Sequence, residues 1–183
     1  MSVREIIRLT ALLIGDTDLA NCVSLVSASS YDNVKLAVHA YNLAEHTVAL
    51  DYIPLKEEEE VEFSSAKILY TQLARRPCTV QRVRIGGQTV NFESRSEYIR
   101  LPGEAGKAEV LYTYLPEDKS LNSQSEFDDS VCAHVMVYGV ASELCLGTGL
   151  YEEAAMWEKK FHEALKGRGA LRASLSLRSR RWA

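Results

Sequence analysis

TVQRVRIGGQTVNFES, residues 79–94, holds two runs in which apolar and polar residues alternate, separated by Gly86 and Gly87. Alternation predicts strands, because successive side chains of a strand point to opposite faces of a sheet. A pair of glycines suits the turn between them, because a two-residue hairpin turn needs positive φ angles. The pattern therefore predicts a β-hairpin in the middle of the chain.

The same composition continues on both sides of this hairpin. Residues 61–85 are rich in Val, Ile, Thr and Tyr, the residues that strands favour. Residues 97–116 repeat the design, with a turn at 102–107 and an alternating run after it. We predict an antiparallel β subdomain over about residues 55–116.

Helical periodicity flanks the β segment. Apolar residues recur every three or four positions in the first and second segments, and the stripe of the first segment ends at Leu13 or Ile14. The same period returns near the C-terminus, where one stripe is formed by Leu150, Ala154, Trp157, Phe161 and Leu165. Residues 131–147 are apolar almost all round, which predicts a central helix. The predicted helices span about residues 2–15, 32–52, 129–147 and 149–166.

Together these patterns predict an α+β fold: a bundle of about four helices with an inserted antiparallel β subdomain and an extended C-terminal arm. We assign residues 1–165 to a single domain, because the β segment separates helices that need each other to bury their apolar faces. Residues 166–183 form the arm.

Bulk composition indicates a globular protein. The chain has 183 residues, of which 46% are hydrophobic and 25% charged, values that are ordinary for soluble domains. Neither a secretory leader nor a membrane-spanning run is visible, which predicts a soluble protein made in a cytoplasm. Four cysteines lack zinc-ligand spacing and are interpreted as buried thiols: Cys22, Cys78, Cys132 and Cys145.

The C-terminal segment KGRGALRASLSLRSRRWA, residues 166–183, differs sharply in charge from the rest of the chain. It holds six of the 21 basic residues and none of the 25 acidic ones. The remainder therefore has 15 basic against 25 acidic residues and a formal charge of −10. Such asymmetry predicts that the arm binds a negative partner, either nucleic acid or an acidic protein surface.

No pattern of catalytic residues emerges. His39 and His46 lie seven apart on one helix, a spacing that does not favour metal binding, and are interpreted as surface or boundary residues. His134 is interpreted as a hydrogen-bonded core histidine. Gly147 and Gly149 precede a helix, but two acids follow them, so a turn between helices explains them better than a phosphate site. We expect no enzyme activity, no catalytic residue, no cofactor and no metal site.

An acidic run, EEEE, opens the β segment. Four consecutive acidic residues at the start of a strand typically form a solvated edge, or their mutual repulsion prevents unwanted strand pairing. A divalent-cation site is the less favoured alternative. The run consists of Glu57, Glu58, Glu59 and Glu60.

Several stretches resemble the head-to-tail adaptor, or connector, proteins of tailed bacteriophages and prophages. The resemblance spans most of the chain, and its most specific parts are the helix LYEEAAMWEKKF and the terminal RRWA. It is carried by residues 1–15, 37–55, 57–63, 138–165 and 179–183.

The resemblance implies a structural virion protein of the neck, assembled in the bacterial host cytoplasm. About 12 copies would form a ring beneath the portal, with a central channel for double-stranded DNA. The implied partners are the portal protein, neighbouring copies and tail or neck proteins, with no membrane. If the glutamates of residues 57–60 face the channel, they would keep DNA from sticking.

For the arm, the resemblance implies contact with the portal or with a neighbouring subunit. Arginine and tryptophan commonly dominate interface energies, and an arm poor in core residues suits a segment that orders on a partner. The residues expected to make these contacts are Arg172, Leu175, Leu177, Arg178, Arg180, Arg181 and Trp182.

Three alternatives remain open. A tail-terminator or stopper protein of the neck would also fit the β content. A nucleic-acid-binding protein could use the basic arm, although no basic recognition helix is visible. The arm could also be a disordered tail without function.

Overall fold

The structure is a computed structural model that describes residues 1–127, 131 and 133–172, with only the course of the helix for 167–172. Two compact units divide the chain. One contains Met1–Val48 with the described part of Asp118–Ala183, and the other contains Ala49–Glu117. The prediction that residues 1–165 act as one domain stays a prediction.

The first unit is helical. A 3-10 turn, Ala28–Ser30, precedes its third helix, and a π turn, Val48–Tyr52, follows that helix. The helices are α1 (Val3–Ile14), α2 (Thr17–Val23), α3 (Asp32–Thr47), α4 (Ala133–Gly147) and α5 (Tyr151–Arg172).

Helix α4 packs against α1, α3 and α5, as its apolar composition predicts. Gly139 lies at the closest approach, because a Cβ atom there would stand 2.8 Å from Phe161 Cε2 and 3.0 Å from Ala44 Cβ. On α5, the predicted stripe Ala154, Trp157, Phe161 and Leu165 is buried. The Trp157 ring stacks on that of Tyr138 with 5.8 Å between centroids.

The second unit is a seven-stranded sheet in the order β4-β3-β7-β1-β2-β6-β5, with every neighbouring pair antiparallel. The sheet is curled into half a barrel. Its strands are β1 (Leu55–Ser64), β2 (Lys67–Leu69), β3 (Pro77–Ile85), β4 (Gln88–Thr89), β5 (Glu93–Ser94), β6 (Tyr98–Arg100) and β7 (Ala105–Tyr114).

The predicted hairpin is confirmed. Strands β3 and β4 pair through Ile85 and Gln88, and the two residues between them, Gly86 and Gly87, have φ angles of 56° and 78°. Positive φ at both turn positions is the geometry that favours glycine in a two-residue loop.

The sheet has an apolar core of its own. Val83 of β3 and Val110 and Tyr112 of β7 are fully buried, and Ile68 and Ile99 lie in the same cluster. The longest pairing joins β1 to β7 over ten residue pairs, from Leu55 opposite Tyr114 to Ser64 opposite Ala105. Strands about 50 residues apart in sequence therefore form the centre of this unit.

The predicted bundle of four helices with a small inserted β subdomain is wrong. The described residues form five helices and a seven-stranded antiparallel sheet, a mixed α+β fold. The extra helix, α2, is not among the predicted helices, because its seven residues are too few for a periodic signal. Helix α5 also continues to Arg172, beyond the end predicted at Lys166. Glycine disfavours an internal helical position by only about 1 kcal/mol, so it does not force a helix to end.

Candidate functional sites

The four glutamates Glu57–Glu60 lie on β1 and alternate between its two faces. Glu57 and Glu59 are half-buried on the face that carries Val61 and Phe63, whereas Glu58 and Glu60 are exposed on the other face. The alternation follows from the two-residue period of a strand. The four carboxylates therefore do not form one acidic surface, and their channel-facing role stays a prediction.

Basic side chains of neighbouring strands pair with the outward-facing acids. Arg82 donates to Glu58 Oε1 at 3.1 Å, and Lys107 Nζ donates to Glu60 Oε1 at 3.0 Å. Arg84 lies between Glu58 and the carboxylate of β7, Glu109, at 3.9 and 3.8 Å. The hydrogen bond to Glu60, followed by the charge of that carboxylate, raises the pKa of Lys107. Much of the acidity of this face is thus compensated within the sheet.

On the inner face, the remaining two acids hold a tyrosine. The Tyr112 hydroxyl donates to Glu59 Oε1 at 2.6 Å and lies 3.4 Å from Glu57 Oε2. Glu59 Oε1 also accepts from the Ala74 N–H at 3.0 Å, and Tyr112 Oη accepts from the Arg75 N–H at 3.3 Å. Burial, followed by the hydrogen bond to Glu59, raises the pKa of Tyr112.

This cluster connects the segment before β3 to the sheet. The Arg75 guanidinium lies 4.4 Å from the centre of the Tyr114 ring, and its Nε lies 3.8 Å from Glu57 Oε2. A phenol is protonated at neutral pH even at its ordinary pKa of 10.0, and the raised pKa of Tyr112 widens that margin, so this side chain donates a hydrogen bond. The arrangement positions Ala74 and Arg75 on the sheet.

The turn between α4 and α5 explains the two glycines that the sequence places before a helix. The Gly149 N–H donates to Leu146 O at 3.1 Å, and the Leu150 N–H donates to Cys145 O at 2.8 Å. These N–H groups satisfy carbonyls at the C-terminal end of α4, as expected for a capped helix end. The predicted turn between two helices is confirmed.

The histidine and cysteine interpretations are partly wrong. His39 is exposed and His46 half-buried, as predicted, but His134 is exposed on α4 instead of lying in the core. Cys145 is buried, whereas Cys78 is exposed, because the register of β3 shifts between Pro77 and Thr79 and moves the residue out of the regular alternation.

Cys132 lies outside the described residues, and Cys22 is half-buried. In the described part of the chain, no three His, Cys, Asp or Glu side chains lie together in a way that would hold a metal ion. Over the same residues, no helix is both long and apolar enough to cross a membrane.

The structure locates one of the predicted arm contacts. Arg172 is the last residue of α5. The others stay predictions because they lie outside the described residues: Leu175, Leu177, Arg178, Arg180, Arg181 and Trp182.

Two apolar residues that the sequence assigned to buried stripes are exposed. Leu13, at the end of α1, and Leu150, before α5, face solvent at one end of the helical unit. Leu13 falls at the end of its stripe, and Leu150 falls at the start of its own. Each of these leucines lies at a helix end within two residues of a glycine, Gly15 or Gly149, but periodicity does not distinguish the buried part of a stripe from its end.

A buried carboxylate was also missed. Glu45 of α3 is fully buried, and its Oε1 accepts from the Tyr41 hydroxyl at 3.0 Å and the Ser125 hydroxyl at 2.7 Å. The Glu126 N–H donates to the same oxygen at 3.0 Å. The sequence places Glu45 beside the apolar stripe, where an exposed acid is the usual outcome.

No protein-family model matches this chain, and a search of curated proteins found no match to it.

Proposed function

We propose that the protein is a structural component of a tailed-bacteriophage neck, a head-to-tail adaptor that forms a ring under the portal. In this proposal the helical unit provides the contacts between copies and with the portal, and double-stranded DNA passes through the ring. The virion is the location that follows. The resemblance of the terminal helix and of RRWA to adaptor proteins supports this assignment.

The structural observation that carries the proposal is the exposure of large apolar side chains on the helical unit. Leu150 is 50% exposed, Met156 is 44% and Leu13 is 42%, and all three line one open groove. Clustered apolar side chains on a surface indicate contacts with other proteins. A subunit whose role is to join other subunits needs such surfaces, whereas an isolated monomer gains nothing from them.

Charge supports the same assignment. The chain up to residue 165 carries a formal charge of −10, and the basic residues after it total six. A net acidic body disfavours adhesion to DNA phosphates, whereas arginines suit charge-assisted contacts with an acidic protein surface.

One observation favours the tail-terminator or stopper alternative. The sheet has seven strands and its own apolar core, which makes it a larger part of the fold than an inserted hairpin pair. The two assignments differ in their partner, because an adaptor binds the portal directly and a terminator binds the tail tube.

The test is co-expression of the full chain with the portal protein of the same genome, followed by electron microscopy of the purified complex. A ring of density beneath the portal is the expected result. A variant with Arg180→Glu, Arg181→Glu and Trp182→Ala should lose that ring while keeping the same thermal unfolding.

Lys56→Glu with Lys159→Glu is the matched control, because it changes the charge equally at exposed positions elsewhere. If the wild-type chain decorates tail-tube rings and leaves the portal bare, the terminator assignment replaces the adaptor. If it decorates neither, the protein does not belong to the neck.

A further inference from the structure

An open groove of about 520 Å³ lies at one end of the helical unit, where α1 and α4 end and α2, α3 and α5 begin. Half-exposed leucines and a methionine form much of its wall, with Trp157 at its side. We call this the apolar groove. Its walls are formed by Leu13, Ile14, Gly15, Asp16, Leu19, Asn33, Leu36, Leu144, Cys145, Thr148, Leu150, Glu153, Met156 and Trp157.

The groove is also acidic at its edge. Asp16 and Glu153 are among its lining residues, and none of the lining residues is a lysine or arginine. Asp18 and Glu152 follow closely in sequence and are exposed. An occupant that fits this surface is apolar along one side and carries positive charge.

Residues 173–183, ASLSLRSRRWA, have this chemistry. Leu175 and Leu177 are two residues apart, so both point to one side when the segment is extended. Arg178, Arg180 and Arg181 can pair with the acids, and Trp182 offers a large apolar anchor.

Geometry disfavours occupation of the groove by the arm of the same chain. From Glu153 to Arg172 helix α5 rises about 29 Å, because each helical residue adds about 1.5 Å. The ten residues from Arg172 to Trp182 span at most about 36 Å when fully extended. An arm that turned back along its own helix would therefore bring only Arg180, Arg181 and Trp182 to the groove, and Leu175 and Leu177 would not reach it. The arm of another copy has no such limit.

We infer that the apolar groove binds residues 173–183 of a second copy of this chain. Each copy then gives one arm and receives one, so the contact is head-to-tail, and such a contact builds a ring if its rotation closes. The inference selects the neighbouring subunit over the portal as recipient of the arm. It holds for the isolated protein and does not depend on the adaptor assignment.

The first test compares two leucines of α3. Leu36 lines the groove, whereas Leu43 lies two helical turns away on the same side of the helix and does not; their exposed fractions are 38% and 39%. Sedimentation velocity of the full chain over a concentration series should show association. Leu36→Ser, and separately Glu153→Arg, should weaken it at least about tenfold, which is about 1.4 kcal/mol. Leu43→Ser should leave it unchanged.

Equal weakening by the two serine variants would overturn the inference, as would a chain that stays monomeric up to its solubility limit. Thermal unfolding of each variant verifies that it is folded.

The second test maps the contact directly. A photoreactive benzoylphenylalanine replaces Trp182 in the full chain labelled with ¹⁵N, and this protein is mixed with unlabelled wild type. Crosslinks from the labelled arm to unlabelled peptides within residues 144–157 are expected. The inference would be refuted if the labelled arm crosslinked only to labelled groove peptides, because the arm would then occupy the groove of its own chain. Crosslinks from the arm to the sheet unit would refute it as well. If the expected crosslinks form but the protein does not bind the portal, the adaptor assignment is wrong and the inference about the groove stands.

Discussion

Ser125 and Glu45 form a buried hydrogen bond of 2.7 Å across 80 residues of sequence. The bond joins the segment before α4 to the last turn of α3. A second link lies one helical turn earlier, where Asn42 Oδ1 accepts from the Lys119 N–H at 2.8 Å. Through these bonds α3 holds the chain where it returns from the sheet unit, and α4 begins soon afterwards.

Replacement of Glu45 should therefore be costly. Glu45→Ala removes the acceptor of three donors, from Tyr41, Ser125 and Glu126, and buried donors left without a partner cost about 1–3 kcal/mol each before water enters. We expect the free energy of unfolding to fall by about 3 kcal/mol in urea titrations. Glu163→Ala, an exposed change on α5, should have less than about 0.5 kcal/mol of effect. A similar loss for both variants would contradict a structural role for the buried bond.

The two glycines of α4 provide an internal comparison. Gly139→Ala places a methyl group 2.8 Å from Phe161, closer than a carbon contact allows, and overpacking typically costs about 1–3 kcal/mol. Gly147→Ala finds its nearest atom, Leu36 Cδ1, at 3.7 Å. The free energy of unfolding of the Gly147→Ala variant should stay the same or rise by up to about 1 kcal/mol, because alanine favours the helical conformation more than glycine does. Thermal unfolding of both variants measures the contrast; a stable Gly139→Ala protein would show that α4 and α5 do not pack this closely.

Tyr112→Phe tests the cluster at the edge of the sheet core. The change deprives Glu59 of its 2.6 Å donor and Arg75 of an acceptor, and we expect a loss of about 1–2 kcal/mol. Because folding raises the pKa of Tyr112 above its ordinary value of 10.0, the stabilisation from its protonated hydroxyl is complete below pH 10 and declines as pH rises through the folded-state pKa.

The deficit of the phenylalanine variant should accordingly shrink above pH 10. Urea unfolding at pH 8 and pH 11 measures it, with exposed Tyr151→Phe as control. A deficit that grows with pH would refute the assignment.

The carboxylate of Glu143 on α4 predicts that the stability of the protein changes with pH in the acidic range. Burial raises the pKa of Glu143, the negative charge of Glu158 raises it further, and His39 opposes both. The folded state therefore binds the proton of Glu143 more tightly than the unfolded state, so this group favours folding below its ordinary pKa of 4.5 and opposes it as pH rises through the folded-state value.

Glu143→Gln should raise the unfolding temperature at pH 7 and lose this advantage near pH 4. At pH 7 the gain in the free energy of unfolding should stay below about 1 kcal/mol, because Glu143 is partly exposed and solvent screens its charge. Thermal melts at both pH values, with Glu163→Gln as control, measure the difference. An advantage at pH 4 equal to that at pH 7 would assign the effect to something other than charge.

Local patterns predicted the elements well. The pair Gly86-Gly87 specifies a turn because only its own backbone has to adopt positive φ. The stripe of Trp157, Phe161 and Leu165 marks the buried side of α5, because the helical period is a property of the local chain.

Features that depend on distant partners were missed. The width of the sheet comes from the pairing of β1 with β7 and of β7 with β3, and the burial of Glu45 comes from Ser125 and its neighbours. Cys78 is exposed because a register shift interrupts β3. None of these features has a signature in a window of ten residues.

The sequence alone therefore determined where helices and strands form and where the charge lies, because backbone preference and side-chain period act over a few neighbouring residues. Only the tertiary structure decided that the strands make a curled sheet of seven, that Glu57–Glu60 divide between two faces, and that the ends of two apolar stripes stay exposed around a groove. The physical reason is that burial and strand pairing depend on two surfaces in contact. These two surfaces lie tens of residues apart in the sequence, so the local pattern of one does not reveal the other.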